Sequence, residues 1–322
     1  MSELRYHPFL DTWVITATHR QDRTFHPPDD YCPLCPTAPG GFPTEIPNPE
    51  YDIAVFENRF PSLAPVPPAP AVLAGPMSAV RPSAGVCEVV CYSSDHTATF
   101  ATLPLAQIRK LARVWKHRYV ELAARPEVEY VFIFENKGKE IGVTLSHPHG
   151  QIYAYPFIPP VPRQELDRER AHHVATGGVL VQDWLHAELL DGVRVVWRNA
   201  SFAAVVPFFA RYPYEVCVAP LKHLRSLAEM SPGELDDLAE ALHVVARKLD
   251  GLFGFSMPYI MVLHQAPAVD GYDFACFHAE FYPPYRTATK LKYLAGSEAG
   301  AGAFINDTLA ESSAEALRQV PV

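Results

Sequence analysis

The chain of 322 residues is 48% hydrophobic and 20% charged, the balance of a soluble globular protein long enough for two domains or for one fold built twice. Its net charge of −9 excludes a general nucleic-acid surface, which needs a basic face, but not a small anion held by a few arginines. No apolar run approaches the roughly 20 residues of a membrane span, residues 1–6 have no hydrophobic stretch behind them to make a signal peptide, and six cysteines are too few for a disulfide scaffold.

Taken in chain order, the first chemical signal is Tyr31-Cys32-Pro33-Leu34-Cys35-Pro36, a rigid proline-flanked knuckle. A C-x2-C pair is half of a tetrahedral zinc site, or free thiols in a turn. The other four cysteines, Cys87, Cys91, Cys217 and Cys276, lie within apolar stretches and read as buried thiols, which places the chain in a reducing, cytoplasmic compartment. Residues 61–76 (PSLAPVPPAPAVLAGP) are the densest run among 32 prolines and read as a loop or spacer.

Beyond that spacer the chain repeats itself. Residues 88–96 (EVVCYSSDH) overlie residues 215–223 (EVCVAPLKH) without a gap, each a short apolar strand ending in a histidine. A helix follows in each copy: Leu105, Ile108, Leu111, Ala112, Trp115, Tyr119 and Leu122 keep a 3.6-residue period, as do Leu235, Leu238, Leu242, Val245 and Leu249. The second helix opens on a capping box, Ser231-Pro232-Gly233-Glu234, and the first has Thr102 and Pro104 in comparable places. Each helix leads to an apolar strand, residues 130–134 and 259–263, and each copy closes on a histidine strand, residues 148–153 over residues 277–282. The order predicts an α+β fold: a duplicated domain with antiparallel sheets and helices packed on one side, the halves being residues 1–175 and 176–322.

His147-Pro148-His149-Gly150-Gln151 is the most informative stretch. Histidines at i and i+2 on an extended backbone face the same way, so both imidazoles look into one site. Gly150 permits close approach of backbone or ligand, and Gln151 adds an amide that donates to an oxyanion. The cluster reads as a metal site, a nucleophile, or both, against a surface loop that holds two histidines. His96 and His147 each end a strand of the first repeat and are the candidates to complete a site with Cys32 and Cys35. Such a Cys2His2 shell is closed to water, and so structural.

The whole set, Cys32-x-x-Cys35, Ser94-Asp95-His96, Phe134-Glu135-Asn136-Lys137-Gly138, His147-Pro148-His149-Gly150-Gln151 and Phe281-Tyr282-Pro283-Pro284, resembles the galactose-1-phosphate uridylyltransferases, a branch of the histidine-triad superfamily, over nearly the full chain. The resemblance implies a ping-pong transfer in galactose metabolism. His149 attacks UDP-glucose, releases glucose 1-phosphate, and passes the uridylyl group to galactose 1-phosphate, giving UDP-galactose. It implies that the His147 carbonyl orients the His149 ring, that Gln151 stabilises phosphoryl charge, and that Cys32, Cys35, His96 and His147 bind zinc. Arg20, Arg23, Asn58, Asn136, Thr144, Lys292 and Glu298 would bind substrate. A second zinc or iron site would use Glu165, His264 and His278, with Glu280 where the family's third histidine stands. Arg59 replaces an aspartate that touches the ribose, and Phe304 replaces a sugar-contacting glutamine; both bear on which sugar and nucleotide are used. A homodimer with active sites completed across the interface is also implied. The competing readings are an ADP-glucose phosphorylase-like enzyme of the superfamily, with inorganic phosphate as acceptor, and a zinc-stabilised nucleotide-binding module without catalysis.

Overall fold

A computed structural model of the chain describes residues 2–23 and 31–322, with only the backbone of residues 22 and 23. Strands β1 (Ser2–His7) and β2 (Thr12–Ala17) form an antiparallel hairpin. They are followed in the chain by β3 (Ala54–Glu57), β4 (Val80–Pro82) and β5 (Val86–Cys91). β4 pairs with β1 to complete a small sheet of order β2-β1-β4. Residues 61–76 contain no helix, as the prolines require.

The first repeat continues through helix α1 (Leu105–Ala123), β6 (Tyr130–Lys137) and β7 (His149–Tyr155). Helices α2 (Pro160–Thr176) and α3 (Leu180–Asp191) then lead to β8 (Val195–Arg198) and β9 (Phe202–Val205). The second repeat runs β10 (Val216–Pro220), α4 (Pro232–Phe253), β11 (Tyr259–His264) and β12 (His278–Tyr282). A short hairpin, β13 (Tyr285–Thr287) and β14 (Lys290–Leu291), and helix α5 (Ala310–Gln319) end the chain.

The repeats fuse into a single antiparallel sheet of order β3-β5-β7-β6-β11-β12-β10-β9-β8. Within it, β5-β7-β6 and β11-β12-β10 are the two copies in mirror order, joined where β6 meets β11 with Phe134 opposite Val262. Pairing at that seam satisfies two edges that would otherwise present unpaired N–H and C=O groups.

Alternation assigns the two faces. Val131, Ile133, Ile152, Ala154, Val216, Val218, Met261, Leu263, Ala279 and Phe281 point to the face covered by α1, α4 and α5, the main core. α4 starts with the capping box as expected: the Glu234 N–H donates to Ser231 Oγ at 3.3 Å, and the Ser231 N–H to the Glu234 carboxylate at 2.7 Å. α1 differs. Its N-cap is Pro104, which has no side-chain acceptor, and Thr102 instead bonds back to Thr99.

The opposite face carries the histidines. It is covered by α2, whose Leu166 packs near Tyr130 and Phe274, and by α3, whose Leu185 packs on Ala203, Val205, Cys217 and Ala219. Cys87, Cys91, Cys217 and Cys276 are buried and unpaired. Among the described residues no helix is long and apolar enough to cross a membrane.

Candidate active site and metal centre

β7 begins at His149 because Pro148, lacking an N–H, can only accept there: its carbonyl takes the Tyr92 N–H at 3.0 Å. His149 Nδ1 lies 2.8 Å from the His147 carbonyl and, as an N–H, donates to it, leaving Nε2 with its lone pair. Burial holds the His149 pKa below its ordinary value, and the bond to the His147 carbonyl only partly opposes that. The ring is neutral near pH 7. Gly150 is required by contact: a Cβ there would sit 2.2 Å from the Tyr92 hydroxyl and 3.0 Å from the Phe134 carbonyl.

His149 lines a cavity of about 550 Å³. Gln151, Asn58, Asn136 and Thr144 line the same cavity, so five residues from four separate segments converge on one space. Asn58 Nδ2 and the Tyr153 hydroxyl both donate to Gln151 Oε1, each at 3.3 Å, which leaves the Gln151 NH2 group free to donate. Arg20 stands behind this layer, donating to Ser62 Oγ at 2.7 Å and to the Tyr153 hydroxyl at 3.4 Å. The Arg23 side chain lies outside the described residues. Lys292 and Glu298 do not line the cavity; they are buried against each other in an ion pair of 3.0 Å.

Beside the cavity, ligand atoms of Cys32, Cys35, His96 and His147 all lie within 4.8 Å of one another. Cys35 Sγ is 3.4 Å from His96 Nδ1 and 3.5 Å from His147 Nδ1. An ion holding sulfur at 2.3 Å and nitrogen at 2.0–2.1 Å in a tetrahedron spaces them by about 3.5 Å, so the four residues fit a zinc ion. Both rings have Nε2 engaged elsewhere, which presents Nδ1 to the cluster. His96 Nε2 meets Ser146 Oγ at 3.3 Å, and His147 Nε2 meets the Ser93 carbonyl at 2.8 Å. Burial and the neighbouring Cys32 push the Cys35 thiol up to about 12, and burial takes His147 down to about 4. A cation at the centre reverses the thiol shift, because thiolate is the form that binds it.

A second cluster gathers Glu165, His264 and His278 on β11, β12 and α2. The Glu165 carboxylate accepts from His264 Nδ1 at 2.6 Å, and the two rings stack with centroids 4.9 Å apart. Burial works against charge on His264, but Glu165 and then Glu280 override it and raise its pKa. Glu280 stands apart from the three. It lies 3.7 Å from His264 Nε2, receives Arg211 at 3.0 Å and the Tyr282 hydroxyl, and these neighbours keep it ionised.

Some contributors left no trace in the sequence reading. Arg211 joins Glu280 to Glu215, itself fully buried, and no motif surrounds it. Tyr51 touches His147 from 96 residues away. Arg59, singled out in the sequence, lines the cavity, and its pairing with Glu45 at 3.1 Å is what the sequence did not show.

The chain is similar to known proteins along its full length. The N-terminal domain of galactose-1-phosphate uridyl transferase matches residues 1–159, and its C-terminal domain matches residues 165–322. A galactose-1-phosphate uridylyltransferase of Thermotoga maritima is 42% identical over 100% of this chain and 99% of its own length. The rat enzyme of that name is 34% identical over 99% of this chain and 87% of its own. A solved uridylyltransferase superposes with a TM-score of 0.89 at 35% identity, covering 99% of this chain and 98% of that one. An Arabidopsis thaliana ADP-glucose phosphorylase with bound ADP-glucose shares the fold, with a TM-score of 0.74 at 22% identity over all of this chain and 99% of its own. With both domain models matched and relatives this similar along their full length, the chain belongs to the galactose-1-phosphate uridylyltransferase family.

Proposed function

We propose that the protein transfers the uridylyl group of UDP-glucose to galactose 1-phosphate through a covalent intermediate on His149. The observation that carries this is the 2.8 Å bond from His149 Nδ1 to the His147 carbonyl, on a ring lining the 550 Å³ cavity with Gln151. In the first half-reaction the Nε2 lone pair forms an N–P bond to the α-phosphorus. The P–O bond to the β-phosphate breaks, and glucose 1-phosphate leaves with its electron pair. The Nδ1 proton stays in place, and the His147 carbonyl stabilises the positive charge of the substituted ring. The Gln151 amide donates to the phosphoryl oxygens. In the second half-reaction a phosphate oxygen of galactose 1-phosphate attacks the same phosphorus, the N–P bond breaks, and the neutral ring returns.

Around this centre Asn58, Asn136 and Thr144 contact the nucleotide and its phosphates, with Arg20 behind them; Arg23 is a further phosphate contact. Lys292 and Glu298, which do not line the cavity of their own chain, serve the hexose phosphate across a homodimer interface. Zinc at Cys32, Cys35, His96 and His147 is structural; when bound, it neutralises the thiolates and ties the knuckle to the histidine motif. We read the second cluster as metal-free, since it offers three ligands and Glu280, where a fourth would stand, is committed to Arg211. The two halves divide near residue 175, and the enzyme works in the cytoplasm.

The acceptor half-reaction tests this function. Pre-formed uridylyl enzyme is mixed in parallel with galactose 1-phosphate, glucose 1-phosphate and inorganic phosphate. Both sugar phosphates should discharge it, with weak discrimination at C4 given Phe304. Discharge by inorganic phosphate alone would replace the transferase with a phosphorylase.

A further inference from the structure

Tyr51 belongs to no motif, yet its hydroxyl sits at a three-way junction. It lies 2.7 Å from His147 Nε2, 2.8 Å from the Ser93 carbonyl and 3.1 Å from the Leu34 carbonyl. These partners come from three segments: the histidine motif, the loop after β5 that carries His96, and the cysteine knuckle. A phenol has one proton to give and lone pairs to accept with. The His147 Nε2–H therefore points at the phenol oxygen and the Ser93 carbonyl, and the phenol proton is shared between the Ser93 and Leu34 carbonyls. The segment holding Tyr51 is itself pinned to α1. Gln107 Nε2 donates to the Asp52 carbonyl at 3.1 Å and to the Tyr92 carbonyl at 2.9 Å, and Lys110 pairs with Asp52 at 2.7 Å. The Tyr51 ring packs against the group formed by Leu34, Ile46, Val89 and Cys91.

Two lines run from that hydroxyl toward the reacting centre. Through His147 it fixes a ring whose Nδ1 faces Cys35 and whose carbonyl orients His149. Through the Leu34 carbonyl it fixes the two residues between the cysteines, and Pro33 and Leu34 are both wall of the His149 cavity. The knuckle thus has two faces: sulfur toward the metal cluster, apolar side chains toward the nucleotide.

We propose that Tyr51 is a positioning residue that couples the metal cluster to the nucleotide cavity, holding the His147 ring in its ligand orientation and the Pro33-Leu34 wall in its binding position. The inference rests on the zinc and His149 assignments above. Among the described residues, His147 without the hydroxyl keeps only the Ser93 carbonyl as an Nε2 partner, and the Leu34 carbonyl loses its only side-chain tether. Partners that orient a ligating histidine in this way typically change metal affinity 10–100-fold. Retention of zinc and affinity for the uridine nucleotide should therefore move together.

The test is Tyr51→Phe, which keeps the ring and removes one oxygen, beside Leu34→Ala, which truncates the wall and keeps its carbonyl. Zinc release to a chromophoric chelator at pH 7, and KM and kcat for UDP-glucose, are measured for both variants and the parent. Tyr51→Phe should release zinc on the order of 10–100 times faster and raise KM several-fold with a smaller change in kcat. Leu34→Ala should raise KM while releasing zinc at the parental rate. Parental zinc release and KM in Tyr51→Phe, even with a lowered thermal midpoint, would reduce Tyr51 to a packing residue and overturn the proposal. A parent protein that carries no zinc, or forms no adduct, would sink the site assignments themselves and this inference with them.

Discussion

The carbonyl of His147 lies 2.8 Å from Nδ1 of His149, so one histidine of the motif holds the other by its backbone while its own ring faces the cysteines. The expectation that strand alternation turns both rings into one site does not hold: His147 stands on a bend before β7 and its ring turns to the cysteines, while His149, the first residue of the strand, lines the cavity.

The nucleophile's protonation sets an acid limit. The neutral ring attacks, and burial places the His149 pKa below its ordinary 6.5. Adduct formation should be level from neutral pH upward and fall only as pH drops through that lowered value. The linkage has the same sense: the unfolded chain takes up a proton below pH 6.5 that the folded state resists, so stability is lost on acidification there. Rapid-quench rates between pH 5 and 8 provide the check; an inflection above pH 6.5 counts against a buried neutral ring.

Gln151 should matter to the rate more than to folding. Among the described residues its NH2 group has no acceptor, and its Oε1 is held by Asn58 and Tyr153. Gln151→Ala should slow adduct formation by roughly 10²-fold, the usual effect of removing one oxyanion donor. An unchanged single-turnover rate would remove Gln151 from the chemistry.

Gly150 is a steric requirement. Gly150→Ala places a methyl 2.2 Å from the Tyr92 hydroxyl and should destabilise the protein by about 1–3 kcal/mol, as overpacking does. Adding Tyr92→Phe should recover part of that loss, since the nearest atom is gone. Denaturant midpoints of the single and double variants decide; no recovery means the Phe134 carbonyl sets the limit.

Metal content separates the two clusters. Isolated protein should hold about one zinc per chain, and Cys35→Ser should lose it along with several kcal/mol of folding free energy. Arg211→Met should leave zinc content unchanged but destabilise by about 3–5 kcal/mol, because two buried carboxylates, Glu215 and Glu280, lose their cation. Two metals per chain by elemental analysis, the second lost with His264→Ala, would show that the second cluster is a metal site after all.

What the sequence disclosed and what it withheld divide along contact range. The histidine strands, the periodic helices and the capping box at Ser231 are local patterns, and each stands where its spacing put it. The seam between β6 and β11 is not local: nothing in residues 130–137 says which edge will cover them. The cover that α2 and α3 give the second face was equally hidden, since their apolar residues form no strong stripe. Tyr51 and Arg211 are single residues whose meaning arises only when distant segments meet. Lys292 and Glu298 show the converse, residues suggested by resemblance that their own chain pairs with each other.

The central claim is that His149 becomes covalently uridylylated, and intact and peptide mass spectrometry after incubation with UDP-glucose alone tests it most directly. The account predicts one uridylyl mass per chain, on the peptide containing His149, released by galactose 1-phosphate and absent from a folded, zinc-loaded His149→Ala variant. An adduct on any other residue, or undiminished turnover by His149→Ala, would contradict it.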